Sequence, residues 1–177
     1  STNGVIMREE RLPEFLESLV WLRFNVSAAS PEKFEKVMGT TQDNFRSAVK
    51  NIRKCVEIKK KYDLKTTLGL QMVLVPECSD EIVAFAKMGK ELGVDYVVIK
   101  QCSENEHYKL NSIDLDYSKH EAALKEAESL SDESYNVIIK WNKMMNNGVR
   151  NYDQCFGCEF LPQISGNGDV YNCGNFF

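Results

Sequence analysis

The sequence predicts an α/β fold built from parallel β/α units, and three observations support this. Segments with helical apolar spacing alternate with short aliphatic segments along most of the chain. The connections are long enough for crossovers between parallel strands, which restricts the topology to an open doubly wound sheet or an arc of a barrel. The 177 residues are 43% hydrophobic and 27% charged, a composition typical of a globular domain with a substantial core.

The first half of the chain carries two helix–strand pairs. Apolar spacing over 12–19 predicts a short helix that runs into a strand over 20–26. A second helix is expected from the capping sequence at 40–43 to about Tyr62. The aliphatic, β-branched segment 64–75 predicts the following strand.

The next pair lies in the middle of the chain. We expect Ser79 or Asp80 to cap a third helix, and Gly93 to end it where a left-handed backbone conformation is favoured. The almost continuous apolar segment 96–100 then predicts a strand that is covered by helices, as in a parallel sheet.

The last pair precedes a change of composition. Ser118 and Glu121 match a capping box for a fourth helix, and residues 135–143 predict a final strand. The chain then becomes rich in Asn, Gly and Cys. We therefore place a boundary between a β/α domain, residues 1–145, and a small Cys-containing β-hairpin segment, residues 146–177.

Charge and hydropathy disfavour several functional classes. The 22 Lys and Arg residues against 26 Asp and Glu give a net charge of −4, and the basic residues are dispersed except at 59–61, so we expect no nucleic-acid binding. No apolar run approaches the roughly 18 residues of a membrane span, so no membrane association is expected. The chain shows no secretory segment, and we expect a cytoplasmic protein.

Period-two alternation places a set of polar side chains on one face of the predicted strands. This set consists of Arg23, Asn25, Ser27, Gln71 and either Lys100 or Gln101. Ligands of β/α folds bind beyond the carboxyl ends of the strands, so the polar face is a candidate binding site. The alternative is that these residues only hydrogen-bond one another.

The terminal cysteines give the strongest chemical signal. Two residues separate Cys155 from Cys158. Fourteen residues, which include the hairpin turn Asn167-Gly168, then separate Cys158 from Cys173. Thiolates with this spacing can converge on one metal ion or cluster. A structural zinc requires four ligands, and neither histidine has ligand spacing, so a fourth ligand must come from elsewhere.

Other roles for the cysteines are less well supported. A thioredoxin-like redox pair would open a helix, whereas the residues after Cys158 look like strand and turn. Cys55, Cys78 and Cys102 are isolated, and we expect them to act as small core hydrophobes.

The terminal spacing also matches a known signature. Cys155, twelve residues, Gly168, four residues and Cys173 follow the pattern that opens a SPASM domain, and Cys158 falls within its first gap. The chain therefore resembles the radical S-adenosylmethionine enzymes with a C-terminal SPASM domain, which modify peptides or proteins. The resemblance implies that Cys155 and Cys173, with Cys158 as a candidate third, bind an auxiliary 4Fe-4S iron-sulfur cluster.

The N-terminal strands carry the rest of the resemblance. Thr2-Asn3-Gly4 resembles the end of the third strand of the family's partial TIM barrel, and residues 21–27 resemble the fourth strand. That strand ends in the family with a Ser, a spacer and an Asp near the cofactor's ribose; Asn25 stands at the Ser position and Ser27 at the Asp position. The resemblance thus implies S-adenosyl-L-methionine as cofactor, with Asn25 and Ser27 beside it.

One motif of the family is absent from the sequence. The Cys-x3-Cys-x2-Cys motif that holds the radical-generating cluster does not occur. We therefore expect the chain to be a fragment, the second half of the partial barrel plus the start of SPASM, from a parent enzyme that abstracts hydrogen from a peptide or protein substrate. The isolated fragment is expected to be inactive and to self-associate through uncovered strand edges.

Two other interpretations stay open. The chain could be a non-catalytic zinc-binding or protein-interaction module on an α/β scaffold, in which the cysteines hold structural metal. It could also be a complete small α/β enzyme, although the sequence offers neither a convergent nucleophile and base nor a Gly-rich phosphate loop.

Overall fold

The fold is described by a computed structural model that covers residues 1–102, 115–145, 152–160 and 162–172. Its centre is a four-stranded sheet in which every pair of neighbouring strands is parallel. The strands are β1 (Trp21–Asn25), β2 (Thr67–Leu74), β3 (Tyr96–Gln101) and β4 (Asn136–Ile139). The helices of this part are α1 (Leu12–Glu17), α2 (Pro31–Met38), α3 (Gln42–Lys61), α4 (Ile82–Leu92), α5 (Glu121–Glu128) and α6 (Trp141–Met145).

The strand order distinguishes between the two predicted topologies. The strands lie in chain order, β1-β2-β3-β4, without a reversal. Right-handed crossovers that always step in one direction place all connecting helices on the same side of the sheet, whereas a doubly wound sheet reverses and covers both faces. The sheet is therefore an arc of a barrel, with an outer face under the helices and a concave face.

Burial along the strands agrees with this arrangement. On β2, Leu68, Leu70, Met72 and Leu74 are fully buried on the face that packs against the helices. On β1, Phe24 is fully buried on the same face, while its neighbours Arg23 and Asn25 are half-buried on the other. The predicted separation of polar and apolar faces is confirmed for β1.

Close packing across the concave face requires a glycine on β2. Gly69 lies in register with Tyr96 of β3, and the ring of Tyr96 covers it. A Cβ atom at Gly69 would stand 2.2 Å from Cζ of Tyr96. The missing side chain therefore lets the tyrosine lie across the sheet.

The N-terminal residues extend the sheet beyond β1. Thr2 forms a parallel bridge with Phe24, donating its backbone N–H to the carbonyl of Arg23 at 2.9 Å and accepting from Asn25 N at 2.8 Å. The turn that follows Thr2 is held by α3, because the side-chain amide of Asn51 donates a hydrogen bond to the carbonyl of Gly4 at 2.8 Å. Residues 2–4 thus occupy the position of a preceding strand.

Two predicted helix caps are wrong. Ser79 and Asp80 lie in a 3-10 turn, Pro76–Glu81, that precedes α4; the Ser79 hydroxyl donates to the Pro76 carbonyl, and Asp80 pairs with Lys33 at 2.9 Å. The expected end of this helix is confirmed, since Gly93 has a φ of 77°.

The second wrong cap precedes α5. Ser118 lies inside a 3-10 turn, Tyr117–His120, and Asp116 caps that turn by accepting from the Ser118 N–H. In both cases the residues predicted to cap the helix lie inside a 3-10 turn that precedes it, so they do not occupy the N-cap position.

Two elements differ from the predicted ones. Helix α2 was not expected, although Ser30 caps it by accepting from Lys33 N and Pro31 occupies its first turn. The last predicted strand is too long, because β4 ends at Ile139 and the chain turns into α6. Within the described ranges, no helix is long and apolar enough to cross a membrane.

We predict that Gly69→Ala destabilises the protein by about 1–3 kcal/mol, because the new Cβ overlaps the Tyr96 ring. Urea denaturation measures the change in free energy of unfolding. Gly166→Ala is the matched control, since a Cβ there meets no atom within 4 Å. Adding Tyr96→Ala should make the effect of Gly69→Ala smaller; additive effects of the two substitutions would contradict the account.

Candidate functional site

The centre of the concave face is a pair of side-chain amides at the carboxyl end of β1 and on β2. Asn25 and Gln71 lie in register. Nε2 of Gln71, a buried residue, donates to Oδ1 of Asn25 at 3.0 Å. This bond fixes the orientation of the Asn25 amide and leaves its nitrogen as a donor toward the concave side.

Ser27 holds the two strands together just beyond the end of β1. Its backbone N–H and that of Val26 both donate to the carbonyl of Gln71, each at 3.2 Å. Its hydroxyl oxygen accepts from the Val73 N–H at 3.1 Å. Ser27 is buried and has a left-handed φ of 53°. Its hydroxyl thus extends the β1–β2 ladder, and its proton and one acceptor lone pair are left for another partner.

The start of the following loop is held by a carboxylate. Oε2 of Glu81 accepts from the backbone N–H of Ala29 at 2.7 Å. This contact has no local sequence signal, because it joins residues that lie 52 positions apart in the chain. Glu81 therefore fixes the loop that leaves the candidate site.

Arg23 and Tyr96 form the floor of the concave face. The guanidinium of Arg23 lies 5.5 Å from the ring centroid of Trp21, a cation–π geometry. Its Nε is buried and has no hydrogen-bond partner among the described residues. Burial raises the pKa of the Tyr96 hydroxyl, so this group stays protonated at neutral pH. The floor therefore offers the Tyr96 hydroxyl as a hydrogen-bond donor, whereas the Nε of Arg23 is buried out of reach of a ligand.

The structure shows which of the two residues predicted for the polar face, Lys100 or Gln101, lies there at the end of β3. Lys100 is in register with Val73 and shares the concave side with Val98, whereas Gln101 follows the opposite alternation. Desolvation, and next the positive charges of Lys143 and Arg23, lower the pKa of Lys100. Lys100 thus belongs to the polar face, and Gln101 does not.

The described C-terminal segment contains the predicted hairpin. Strands β5 (Gln163–Ile164) and β6 (Val170–Tyr171) are antiparallel, and Gly168 has a φ of 92° in the turn between them. A short helix, α7 (Gly157–Phe160), precedes the hairpin, so the expected strand character after Cys158 is wrong there. No strand precedes α7 within residues 152–156, as a thioredoxin-like motif would require.

Of the three candidate metal ligands, one side chain lies in the described part. Cys155 is exposed, and its Sγ lies 3.3 Å from the place that a Cβ of Gly157 would occupy. The side chain of Cys158 and the whole of Cys173 lie outside the described residues. The described residues contain no group of three or more His, Cys, Asp or Glu able to hold a metal. Convergence of the three thiols therefore stays a prediction.

Two isolated cysteines of the β/α domain differ from Cys155 in their burial. Cys55 and Cys78 are fully buried. Burial raises the pKa of the Cys55 thiol to about 12, and it also raises that of Cys78. Such thiols are inert toward metals and oxidants, as expected for small core residues.

Comparison with known proteins adds structural relatives but no sequence relatives. No family model and no curated protein matches the sequence. The crystal structure of Streptococcus suis SuiB is similar with a TM-score of 0.67 at 15% identity, over 98% of this chain and 42% of that chain. SuiB bound to S-adenosylmethionine is similar with a TM-score of 0.63 at 14% identity, over 98% of this chain and 41% of that one.

These similarities concern the fold. The chain spans about two fifths of the SuiB chain it matches. The predicted fold class is confirmed, since parallel β/α units form an arc of a barrel that is similar to part of the SuiB structure.

We predict that Ser27→Ala destabilises the protein by about 1–3 kcal/mol, because it leaves the Val73 N–H without its acceptor. Ser27→Gly loses the same bond but relieves the left-handed strain, about 1 kcal/mol, so it should be less harmful. Urea denaturation compares the two, with the exposed Ser129→Ala as control. A glycine variant no more stable than the alanine variant would contradict this role for Ser27.

Proposed function

We propose that this chain is the second half of the partial barrel of a radical S-adenosylmethionine enzyme that modifies a peptide or protein. One observation carries the proposal: an arc of parallel strands with a polar concave face aligns over 98% of its length with SuiB bound to S-adenosylmethionine. The concave face of the strands bears the polar residues Arg23, Asn25, Gln71 and Lys100 alongside the apolar Val73, Val98 and Ile138.

The residues on the concave face fit S-adenosylmethionine chemically. The cofactor presents acceptors in its carboxylate, its ribose hydroxyls and its adenine ring nitrogens, beside an ammonium and a sulfonium that these donors would not bind. The oriented amide nitrogen of Asn25 is a donor without a partner in the described part of the chain. Donors held in place before the ligand arrives lose little entropy on binding.

The residues of this chain would bind and orient the cofactor. In such enzymes the cofactor, cleaved reductively at a four-iron cluster, supplies the radical that abstracts hydrogen from the substrate. Asn25 would hold the cofactor at the end of β1, and Gln71 would keep the Asn25 amide in the required orientation. Ser27 would anchor β1 to β2, so that both amides stay in register.

The C-terminal segment would hold an auxiliary iron-sulfur cluster. Cys155 is exposed, and the absence of a side chain at Gly157 leaves room beside its sulfur. Thiolates are the ligands that such clusters require. Cys155, Cys173 and Cys158 would supply them, with a further ligand from outside the trio.

We predict that Asn25→Ala in the full-length protein weakens S-adenosylmethionine binding about tenfold, because a hydrogen bond in a desolvated site is lost. Equilibrium dialysis with radiolabelled cofactor measures the affinity. Gln71→Leu should act in the same direction, since it releases the Asn25 amide. Gln42→Ala, a change on the outer helix α3, is the control. Unchanged affinity in Asn25→Ala would remove Asn25 from the cofactor site.

We predict that Cys155→Ala and Cys173→Ala each reduce the iron and sulfide bound after anaerobic reconstitution of the full-length protein. Loss of one thiolate opens the coordination of the auxiliary cluster. Metal analysis and electron paramagnetic resonance measure the loss, and Cys102→Ala serves as control. Unchanged cluster content in both variants, or zinc without iron in the wild type, would refute the proposal and favour a zinc-binding module.

A further inference from the structure

The turn over residues 2–5 brings a second asparagine next to Asn25. Thr2 forms a parallel bridge with Phe24, and bridged residues of parallel strands point to the same side of a sheet. Phe24 is buried under the helices, and Thr2 lines a surface cavity beside α1. Because side chains alternate along a strand, Asn3 lies on the concave side, beside Asn25.

The surroundings of Gly4 indicate the same direction for the Asn3 side chain. Gly4 is buried, and a Cβ atom there would lie 2.8 Å from Cδ1 of Phe24 and 3.8 Å from Cβ of Ala48 on α3. Position 4 thus faces the helices, as Thr2 does. Asn3, which stands between them, therefore faces the concave side.

Hydrogen bonds from two directions hold this turn. Oγ1 of Thr2 accepts from the N–H of Gly4 at 3.1 Å. The side-chain amide of Asn51 on α3 donates to the carbonyl of Gly4 at 2.8 Å and to that of Val5 at 3.1 Å. The position of Asn3 is therefore set by the strand and by α3 before a ligand arrives, which lowers the entropy lost on binding.

The Asn3 amide has one orientation that satisfies this turn. Its Oδ1 accepts from the backbone N–H of Val5 at 3.1 Å. A backbone N–H can only donate, so the atom that it meets is the amide oxygen and not the amide nitrogen. The side chain is exposed, and its Nδ2 has no hydrogen-bond partner within the described ranges. Nδ2 of Asn3 is therefore available as a donor to a ligand.

Asn3 and Asn25 form a pair of matched donors. In each, Oδ1 accepts a hydrogen bond from the protein, from Val5 in the first case and from Gln71 in the second, and Nδ2 remains for a ligand. The two residues lie on neighbouring parallel segments, about 5 Å apart. Two amide nitrogens at this spacing fit two neighbouring oxygens of one ligand, such as those of a ribose diol or a carboxylate.

We propose that Asn3 is a second binding residue of the concave face, and that its Nδ2 acts with Nδ2 of Asn25 on two neighbouring oxygens of S-adenosylmethionine. This inference rests on the proposed function, because the ligand is the cofactor assigned there. The ribose hydroxyls and the methionine carboxylate are the two sources of such oxygens, and the experiment distinguishes them.

The test uses the full-length protein and equilibrium dialysis with S-adenosylmethionine and with methylthioadenosine, which keeps the ribose but has no carboxylate. Asn3→Ser removes the amide nitrogen, whereas its hydroxyl can still accept from the Val5 N–H and hold the turn. We expect Asn3→Ser to weaken S-adenosylmethionine binding about fivefold, the effect of one lost hydrogen bond. An equal loss with methylthioadenosine assigns the ribose, and a loss with S-adenosylmethionine alone assigns the carboxylate.

Two further variants separate the donor from the turn and from general effects. Asn3→Ala also loses the turn bond and should weaken binding at least as much as Asn3→Ser. Asn142→Ser makes the same change on the exposed surface of α6 and should leave both affinities unchanged.

Two results would overturn the inference and leave the proposed function standing: wild-type affinity for S-adenosylmethionine in Asn3→Ser, or an equal loss in Asn142→Ser. Wild-type affinity in Asn3→Ser with a loss in Asn3→Ala would show that Asn3 only holds the turn. A wild type that binds neither compound would refute the proposed function, and the inference with it.

Discussion

The register between β1 and β2 is the constraint on which the rest of the site depends. It aligns Asn25 with Gln71 and allows the hydrogen bond between their amides. Side chains alternate along a strand, so a slip of one residue would bring Phe24 to the concave face and turn Asn25 toward the helices. Burial of Phe24 opposes that slip, and the Ser27 hydroxyl bonded to the Val73 N–H fixes the end of the pairing.

The faces of the strands could be predicted from the sequence because they follow from local alternation. Arg23, Asn25 and Gln71 lie on the predicted polar face, and Phe24 lies on the apolar one. The choice between a barrel arc and a doubly wound sheet could not be predicted from periodicity, because it depends on the direction of each crossover; the family resemblance implied the barrel. The strand order supplies that information.

The parts that were not predicted depend on contacts between distant residues or on special backbone conformations. The left-handed φ of Ser27 and the bond from Ala29 to Glu81 have no local signature. Residues 141–143 fall in a segment predicted as strand, whereas the chain forms helix α6 there. By contrast, the hairpin at Asn167-Gly168 follows its turn residues and could be predicted from them.

The most direct test of this account is an anaerobic structure of the full-length protein with S-adenosylmethionine. The account predicts cofactor density on the concave face at the carboxyl ends of β1 and β2, with Nδ2 of Asn25 within hydrogen-bond distance of it. Cofactor density away from this face, with Asn25 still bonded only to Gln71, would contradict it.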